Sequence, residues 1–345
     1  MKILIIRFSS IGDVIQCMSV TSGFHRKYDN PQIHWITRTD MASILKTDPH
    51  IYRVWDFDRE DGLFGLIRMA RALKKEKFDL IYDAHLNIRS YTVRFVLNPL
   101  IFRFFKNSPK VIVRKKHRFN RFLFFSLGKK DAIPQPFRGM ISFQKPLRKL
   151  DLDFSSRKHK NWLFPKTVTS SVDALLSSEQ FSIDEKTITI IPSAAWELKR
   201  WPLEHWKQLV EIMPEYKFIV VAGPDDTFTK EIADIAPDRV LNLAGRTNLN
   251  ESFYLVKQSN FIVSADTGFL HAADLFGKDG IAFMGPTAFG HTTGESIKVL
   301  EIDLPCRPCS KEGNSECKIA EIKKCLFDIT PRLVKKEIEK TLQIG

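Results

Sequence analysis

The sequence predicts an α/β protein built from two doubly wound domains with parallel sheets. Short β-branched runs alternate along the chain with segments of helical periodicity, which is typical of strands joined by helices. The 345 residues are too many for one ordinary hydrophobic core and suit two domains. An irregular stretch from Asp131 to Ser170, rich in Pro, Lys and Ser, separates the two sets of runs. We therefore expect domains at 1–165 and 166–329, followed by a closing helix within 330–345.

Strands are predicted in both halves. In the first half they are Lys2–Arg7, Ile33–Thr37, Arg53–Phe57, Phe78–Asp83 and Lys110–Val113. In the second half they are Thr187–Pro192, Lys217–Ala222, Arg239–Leu243, Phe261–Ser264 and Ile281–Met284. Near the end, Thr330 is a suitable helix cap and Pro331 suits the first helical position, which predicts a helix to about Leu342. Doubly wound sheets bind ligands at the carboxyl ends of their strands, so two facing domains are expected to form a central cleft.

The chain carries neither the pattern of a signal peptide nor that of a membrane span. Only four apolar residues lie between Lys2 and Arg7, which is too short for either. No later stretch approaches the roughly 20 apolar residues that a spanning helix needs. We therefore expect a cytoplasmic protein whose thiols are reduced.

The net charge of +13 is concentrated in one part of the sequence. Between Arg94 and Lys130 there are eleven Lys and Arg residues, no acidic residue and eight phenylalanines, as in the motif Arg103-Phe104-Phe105-Lys106. Interleaved basic and aromatic residues suit an anionic, partly apolar surface such as phospholipid head groups or a phosphorylated lipid. Nucleic acid is a competing partner, because its phosphates attract the same charges. A solvated basic face over core phenylalanines is the third alternative.

The first strand runs into a short turn, Ser9-Ser10-Ile11-Gly12-Asp13, which opens a helix. An aspartate there can cap the helix, and it can equally act as a general base at the carboxyl end of the strand. Neither G-x-G-x-x-G nor G-x-x-x-x-G-K-[ST] occurs in the chain. Dinucleotide-binding and P-loop sites therefore lack their usual support.

The first strand of the second half ends in a loop of small residues, Ser193-Ala194-Ala195. Lys199 and Arg200 follow, just before a helix that begins near Pro202. Small residues and cations near a helix N-terminus suit a diphosphate, which the helix dipole and the backbone N–H groups also attract. A surface loop with aromatic packing is the alternative.

Three further junctions have the same strand-then-turn pattern. The first, Val220–Asp226, ends in two carboxylates that can accept hydrogen bonds from ribose hydroxyls or simply stabilise a turn. The second is Ser264–Ala273, in which a sharp Asp-Thr-Gly turn opens a helix at once. The third, Met284–Thr287, repeats the pattern one strand later. The second and third, on successive strands, together predict a phosphate and sugar site in the half that carries Lys199.

Four of the five cysteines form the cluster Cys306-x2-Cys309-x7-Cys317-x7-Cys325. This is the thiolate count of a tetrahedral zinc or iron site, although the second C-x-x-C of a zinc ribbon is missing. Disulfide pairing and plain free thiols are the alternatives. Cys17, in the first helix, is expected to be a small buried apolar residue.

These motifs, in this order, resemble glycosyltransferase family nine, the ADP-heptose:lipopolysaccharide heptosyltransferases, across nearly the whole chain. The matching segments are Ser10–Asp13, Lys199–Pro202, Ser264–Gly268 with His271, and Met284–Thr287. The resemblance implies a GT-B architecture with two Rossmann-like domains. It also implies that the C-terminal domain binds the donor, that the N-terminal domain binds the acceptor, and that catalysis needs no metal.

The resemblance also implies roles for individual residues. Asp13 would be the catalytic base, Lys199 the cation at the diphosphate, and Asp225 the residue at the ribose. The full set expected at the donor comprises Ser193, Lys199, Arg200, Asp225, Asp266, Thr267, Gly268 and His271. The set expected at the acceptor comprises Ser10, Gly12, Arg114, Lys115, Lys116 and Arg118. Familiar members often have Ser or Thr where this chain has Ala194 and Ala195, which leaves Ser193 as the substitute.

The resemblance therefore implies inverting transfer of heptose from ADP-heptose to a lipid-linked, anionic saccharide of the lipopolysaccharide core. The expected place is the inner face of the cytoplasmic membrane, as a peripheral protein, with no nucleic-acid partner. The alternatives are a related transferase with another nucleotide sugar or acceptor, and a non-catalytic protein that binds nucleotide sugars or polyanions. A base at Asp13 separates the classes, because pure binding needs the cation of Lys199 but not a base.

Overall fold

The computed structural model describes residues 1–99, 108–154 and 162–342. The motif Arg103-Phe104-Phe105-Lys106 lies outside these described residues. Within them, every helix is too short or too polar to cross a membrane.

The chain divides into two compact units. The first comprises residues 1–117 and 140–163, and the second comprises residues 118–139 and 164–345. Residues 118–139 therefore group with the second unit, although they precede the expected boundary at residue 165.

A parallel sheet forms the centre of the first unit. Its strands are β1 (Lys2–Ile6), β2 (Gln32–Arg38), β3 (Ile51–Phe57), β4 (Leu80–Asp83) and β5 (Lys110–Val113). They lie in the order β3-β2-β1-β4-β5. β4 and all of β1 except Lys2 are buried, as expected for parallel strands covered by helices on both faces. The predicted strands of this half are confirmed, with small differences at their ends.

Helices connect these strands and cover the sheet. They are α1 (Ile11–Met18), α2 (Thr21–Lys27), α3 (Thr39–Leu45), α4 (Gly62–Lys74) and α5 (Ile88–Leu97). α4 and α5 pack against each other. They bury Leu66, Ala70, Leu73 and Val93 in one cluster with the side chains of β1 and β4. This core holds the carboxyl ends of the strands in place.

The stretch from Asp131 to Ser170, predicted to be irregular, contains several helical segments. Across residues 118–150 the structure has α6 (Arg118–Ser126), a 3-10 turn at Lys130–Ala132, α7 (Gly139–Gln144) and a 3-10 helix at Lys145–Leu150. The prediction was wrong because such short helices have little periodicity of their own and are stabilised by tertiary packing. Phe143 and Leu147, for example, are fully buried.

The second unit is built on another parallel sheet. Its strands are β6 (Thr187–Ile191), β7 (Lys217–Val220), β8 (Val240–Asn242), β9 (Phe261–Ala265), β10 (Asp279–Phe283) and β11 (Ile297–Leu300). They lie in the order β11-β10-β9-β6-β7-β8, which repeats the order of the first sheet and adds one strand. The sequence analysis missed β11, a four-residue edge strand that is defined only by its pairing with β10.

The remaining helices belong to the second unit. They are α8 (Lys166–Ser178), α9 (Leu203–Ile212), α10 (Thr229–Ala233), α11 (Leu249–Gln258), α12 (Gly268–Phe276), α13 (Lys324–Phe327) and α14 (Pro331–Leu342). α14 confirms the predicted closing helix, and the backbone N–H of Leu333 donates to Oγ1 of Thr330 at 3.3 Å, as a cap requires. Val334 and Ile338 bury one face of α14 in the core around Trp201 and Trp206.

Candidate active site

Each sheet has one point at which its strand order reverses. In the first sheet it lies between β1 and β4, and in the second between β6 and β9. Ligands of doubly wound sheets bind at such points, beyond the carboxyl ends of the strands. Arg7 directly follows β1, and His85 lies two residues after β4. Ser193 lies two residues after β6, and Asp266 directly follows β9.

Asp13 lies in the first turn of α1, close to the end of β1. Ser10, not Asp13, occupies the cap position of this helix. Oδ2 of Asp13 is paired with the guanidinium of Arg7 and lies 3.5 Å from Oγ of Ser10. The Asp13 side chain keeps 37% of its surface exposed. The carboxylate therefore does not cap the helix and remains accessible.

Arg7 is a site residue that the sequence analysis missed. Its side chain is 5% exposed, and Nη1 donates to the carbonyl oxygen of Ala84 at 3.0 Å. A buried guanidinium needs such acceptors and an anionic partner, which here is Asp13. An available signal was the position of Arg7, a charged residue at the carboxyl end of an otherwise apolar strand.

Arg114 is buried beside this pair. It directly follows β5, its Nε donates to Oγ of Ser142 at 3.0 Å, and its guanidinium lies 3.8 Å from the ring centre of Phe143. Burial lowers the pKa of Arg114, the charge of Asp13 raises it and the charge of Arg7 lowers it, with a net value below the ordinary one. Arg114 is therefore part of the first site and not of an exposed basic face.

His85 contributes a neutral imidazole to the same site. Its backbone N–H donates to Oδ1 of Asp83 at 3.0 Å, which fixes the turn after β4. Burial, followed by the charges of Arg7 and Lys116, lowers the pKa of His85 to about 3. Within the described residues, its buried Nδ1 has no hydrogen-bond partner.

The other residues expected at the acceptor are spread over both units. Gly12 lies in the first turn of α1, and Ser10 is the cap. Lys115 is exposed and Lys116 half-buried in the first unit. Arg118 is exposed at the start of α6, in the second unit.

The second site is centred on an ion pair between Lys199 and Asp266. Nζ of Lys199 lies 2.8 Å from Oδ2 of Asp266, which also accepts a hydrogen bond from Oγ1 of Thr287 at 2.9 Å. Burial alone would raise the pKa of Asp266, but the charges of Lys199 and His271 hold it below its ordinary value. The Met284–Thr287 turn and the Asp-Thr-Gly turn thus meet at one carboxylate.

α12 begins directly at this carboxylate. Thr267 is its cap, with Oγ1 accepting from the N–H of Leu270 at 3.4 Å, and Gly268 is its first residue. His271 is buried one turn along the helix. A helix N-terminus that opens beside a lysine is suited to bind an anion.

A second carboxylate, Asp226, ties the loop after β6 to the turn after β7. Its Oδ2 accepts from Oγ of Ser193 at 2.5 Å, and its Oδ1 lies 3.1 Å from Nη2 of Arg200. Asp225, the residue expected at the ribose, is exposed. The sequence shows two adjacent carboxylates, and only the fold shows that Asp226 is buried against Ser193 and Arg200 while Asp225 is exposed.

The four clustered cysteines come together around one small cavity, which Leu198 and Pro286 also line. All five cysteines are free thiols, so the disulfide alternative is wrong for this structure. Burial raises the pKa of Cys325 to about 11, and that of Cys17, as expected for a buried apolar residue, to about 12. Among the described residues, no three potential ligands are arranged to hold a metal ion. The expected zinc or iron site is therefore not preformed.

Comparison with known proteins links the chain to one family. The pattern of "Glycosyltransferase family 9 (heptosyltransferase)" matches residues 66–320. Lipooligosaccharide heptosyltransferase 2 of Haemophilus influenzae is 24% identical over 99% of both chains. The family 9 glycosyl transferase of Veillonella parvula aligns with a TM-score of 0.78 at 18% identity, over 100% of this chain and 98% of that one. Escherichia coli heptosyltransferase WaaC with ADP-2-deoxy-2-fluoro heptose aligns with a TM-score of 0.66 at 17% identity, over 99% of both chains.

At these identities the solved structures show a shared fold, and they confirm the predicted α/β, GT-B class with two Rossmann-like sheets. The family match covers most of the chain, including Lys199, Asp266 and three of the clustered cysteines, Cys306, Cys309 and Cys317. The chain therefore belongs to glycosyltransferase family 9, and it is a glycosyltransferase.

Proposed function

We propose that this glycosyltransferase transfers heptose from ADP-heptose to a lipid-linked saccharide of the lipopolysaccharide core, with inversion and without a catalytic metal. The names of the relatives support the sugar and the acceptor class. Two ion pairs support the mechanism. Where the first sheet reverses its strand order, the accessible carboxylate of Asp13 is paired with the buried Arg7. Where the second sheet reverses its order, Lys199 is paired with Asp266 at the start of α12.

Asp13 acts as the general base in this proposal. It accepts the proton of the acceptor hydroxyl as that oxygen attacks the anomeric carbon from the face opposite the diphosphate, which inverts the configuration. Arg7 keeps the carboxylate oriented through their ion pair. Ser10, Gly12, Arg114, Lys115, Lys116 and Arg118 bind the anionic acceptor. Arg114 does so from a buried position, and the exposed cations act from the surface.

The second unit binds the donor and stabilises the leaving ADP. Lys199, Arg200 and the first N–H groups of α12 supply positive charge where negative charge develops on the diphosphate. Ser193, Thr267, Gly268 and His271 complete the pocket. For the ribose we retain Asp225 as the contact, with the neighbouring Asp226 fixing the turn that presents it.

A panel of nucleotides and nucleotide sugars tests the donor. ADP and ADP-heptose at 100 times their Kd should stabilise the protein by about 2.7 kcal/mol, seen as a rise in Tm, whereas UDP-sugars should not. ADP-heptose should also be consumed in the presence of the acceptor, with full activity in excess EDTA. Preference for a different nucleotide sugar would change the proposed donor. Binding without transfer would indicate a non-catalytic protein. Immediate loss of activity in EDTA, restored by magnesium, would refute the metal-free mechanism.

For the cysteine cluster we propose a structural zinc or iron ion. The support is chemical, since four thiols line one cavity and thiolates prefer these metals. The thiols would have to converge on binding, because they are not preformed as ligands. Metal analysis of the purified protein should find about one zinc or iron ion per chain, bound through thiolates. The ion should be lost in Cys306→Ser/Cys309→Ser, and a protein without metal after purification with added zinc or iron would refute the proposal.

A further inference from the structure

We call the segment that carries the four cysteines, Cys306–Cys325, the cysteine loop. At Gly313 its backbone lies directly against the side chain of Lys199. A Cβ atom built on Gly313 would lie 2.6 Å from Cγ and 2.8 Å from Cδ of Lys199, and 3.5 Å from Cβ of Trp196. Only a glycine permits this approach, and its φ of +88° also favours glycine. The loop therefore forms one wall along the aliphatic part of the lysine.

The same loop is attached to the turn that contacts Asp266. The backbone N–H groups of Cys309 and Ser310 donate to the carbonyl oxygen of Pro286 at 3.0 and 3.1 Å. The next residue, Thr287, donates to Oδ2 of Asp266. The loop thus reaches both members of the Lys199–Asp266 pair, one through Gly313 and the other through this turn.

Both ends of the loop are fixed to the second unit. Near its start, the buried guanidinium of Arg307 donates to the carbonyl oxygens of Gly285 at 2.7 Å and Met284 at 2.9 Å. At its end, Cys325 is packed in the core beside Leu326. A loop anchored at both ends can hold a neighbouring side chain in one conformation.

We propose that the cysteine loop is a positioning element of the donor site, which fixes the side chain of Lys199 against Asp266 through the contact at Gly313. A free lysine side chain samples many rotamers, and a wall along Cγ and Cδ removes most of them. The ammonium then stays beside the start of α12, where the diphosphate is proposed to bind. This inference rests on the proposed function of Lys199 and requires no metal.

The test compares Gly313→Ala with Gly128→Ala. Both glycines have a positive φ, +88° and +63°, so both variants carry backbone strain, but a Cβ at Gly128 meets no atom within 4 Å. Gly313→Ala should weaken ADP binding, measured by calorimetry, by about tenfold or more, because the charge-assisted contact of a displaced Lys199 is lost. Gly128→Ala should bind ADP as the wild type does. Equal ADP affinity in both variants would overturn the inference.

Lys199→Ala, measured alone and together with Gly313→Ala, separates this inference from the proposed function. If Lys199→Ala leaves ADP affinity unchanged, the proposed donor site fails. If it weakens ADP binding while Gly313→Ala does not, only the positioning role fails. If the loop acts through Lys199, Gly313→Ala should cause no further loss of ADP affinity in the Lys199→Ala background. If Gly313→Ala weakens ADP binding as much in that background as in the wild type, the substitution does not act through Lys199.

The double variant also covers the case in which Gly313→Ala alone unfolds. Lys199→Ala removes Cγ and Cδ, so the nearest remaining atom, Cβ of Trp196 at 3.5 Å, is in ordinary contact. Recovery of Tm in the double variant supports the contact between Gly313 and Lys199. Unfolding in both backgrounds would assign the damage to the backbone at Gly313 and overturn the inference.

Discussion

At the scale of single residues, the proposed base is Asp13, which is paired with Arg7. Asp13→Asn should reduce kcat by roughly 10²–10⁴-fold, because the amide keeps the size of the side chain but cannot accept a proton at neutral pH. ADP affinity should stay unchanged, because the donor residues belong to the other unit. The measurements are a transfer assay and calorimetry. Retention of more than about half of kcat would exclude Asp13 as the base.

His85 links the same site to the pH dependence of stability. Its pKa in the folded state is lowered to about 3, whereas an unfolded chain has the ordinary value of about 6.5. Between these values the unfolded state binds the proton and the folded state does not, so stability falls as the pH falls below about 6.5. From pH 6.5 to 5 this single group should cost up to about 2 kcal/mol.

The variant His85→Gln removes this titration. Denaturant unfolding at pH 7 and pH 5 should show a smaller loss of free energy in His85→Gln than in the wild type. The exposed His117→Gln is the matched control and should lose as much as the wild type. If His85→Gln loses as much free energy of unfolding as the wild type, His85 does not stay neutral in the folded protein.

At the scale of elements, α6 shows why the basic and aromatic segment cannot be treated as one surface. Phe124 is buried with Ile133 and Ala288 in the second unit. On the same helix, Phe119 is 69% exposed and Phe122 is 55% exposed. The described part of the segment therefore combines a core phenylalanine with an exposed basic and aromatic face, and within that part it is this face that an anionic membrane could contact.

The expected association with an anionic membrane can be tested at the exposed charges of this face. Lys115→Ser/Arg118→Ser removes two exposed charges and leaves the buried Arg114 untouched. Each charge contributes about 1 kcal/mol near an anionic bilayer, so sedimentation with anionic vesicles should fall by about tenfold or more. Lys336→Ser/Lys340→Ser removes two exposed charges from α14 and should have little effect. An equal loss of vesicle binding in both double variants would indicate a response to net charge alone. If neither double variant loses binding, the basic face is only solvated.

At the scale of the whole molecule, the chain uses the same strand order twice. Each sheet reverses its order beside its first strand, and each places a charged pair there, Arg7 with Asp13 and Lys199 with Asp266. One pair leaves a carboxylate accessible, and the other buries the carboxylate and aligns the cation. The proposed transfer needs both, because a base acts on the acceptor while a cation stabilises the leaving group.

The sequence by itself determined the fold class, the predicted strands, the closing helix from Pro331 to Leu342 and the family. These features are local or depend on order along the chain. Parallel strands covered on both faces are nearly all apolar, helix caps lie next to their helices, and the motifs occur in a fixed order.

Tertiary structure alone decided which side chains meet. Strand pairing defines β11, and tertiary packing buries Arg114 against Ser142 and Phe143, which the sequence did not show. The hydrogen bond from Ser193 to Asp226, and the approach of Gly313 to Lys199, join segments that are distant in sequence. Local periodicity contains no information about such contacts, because they form only when sheets and loops pack.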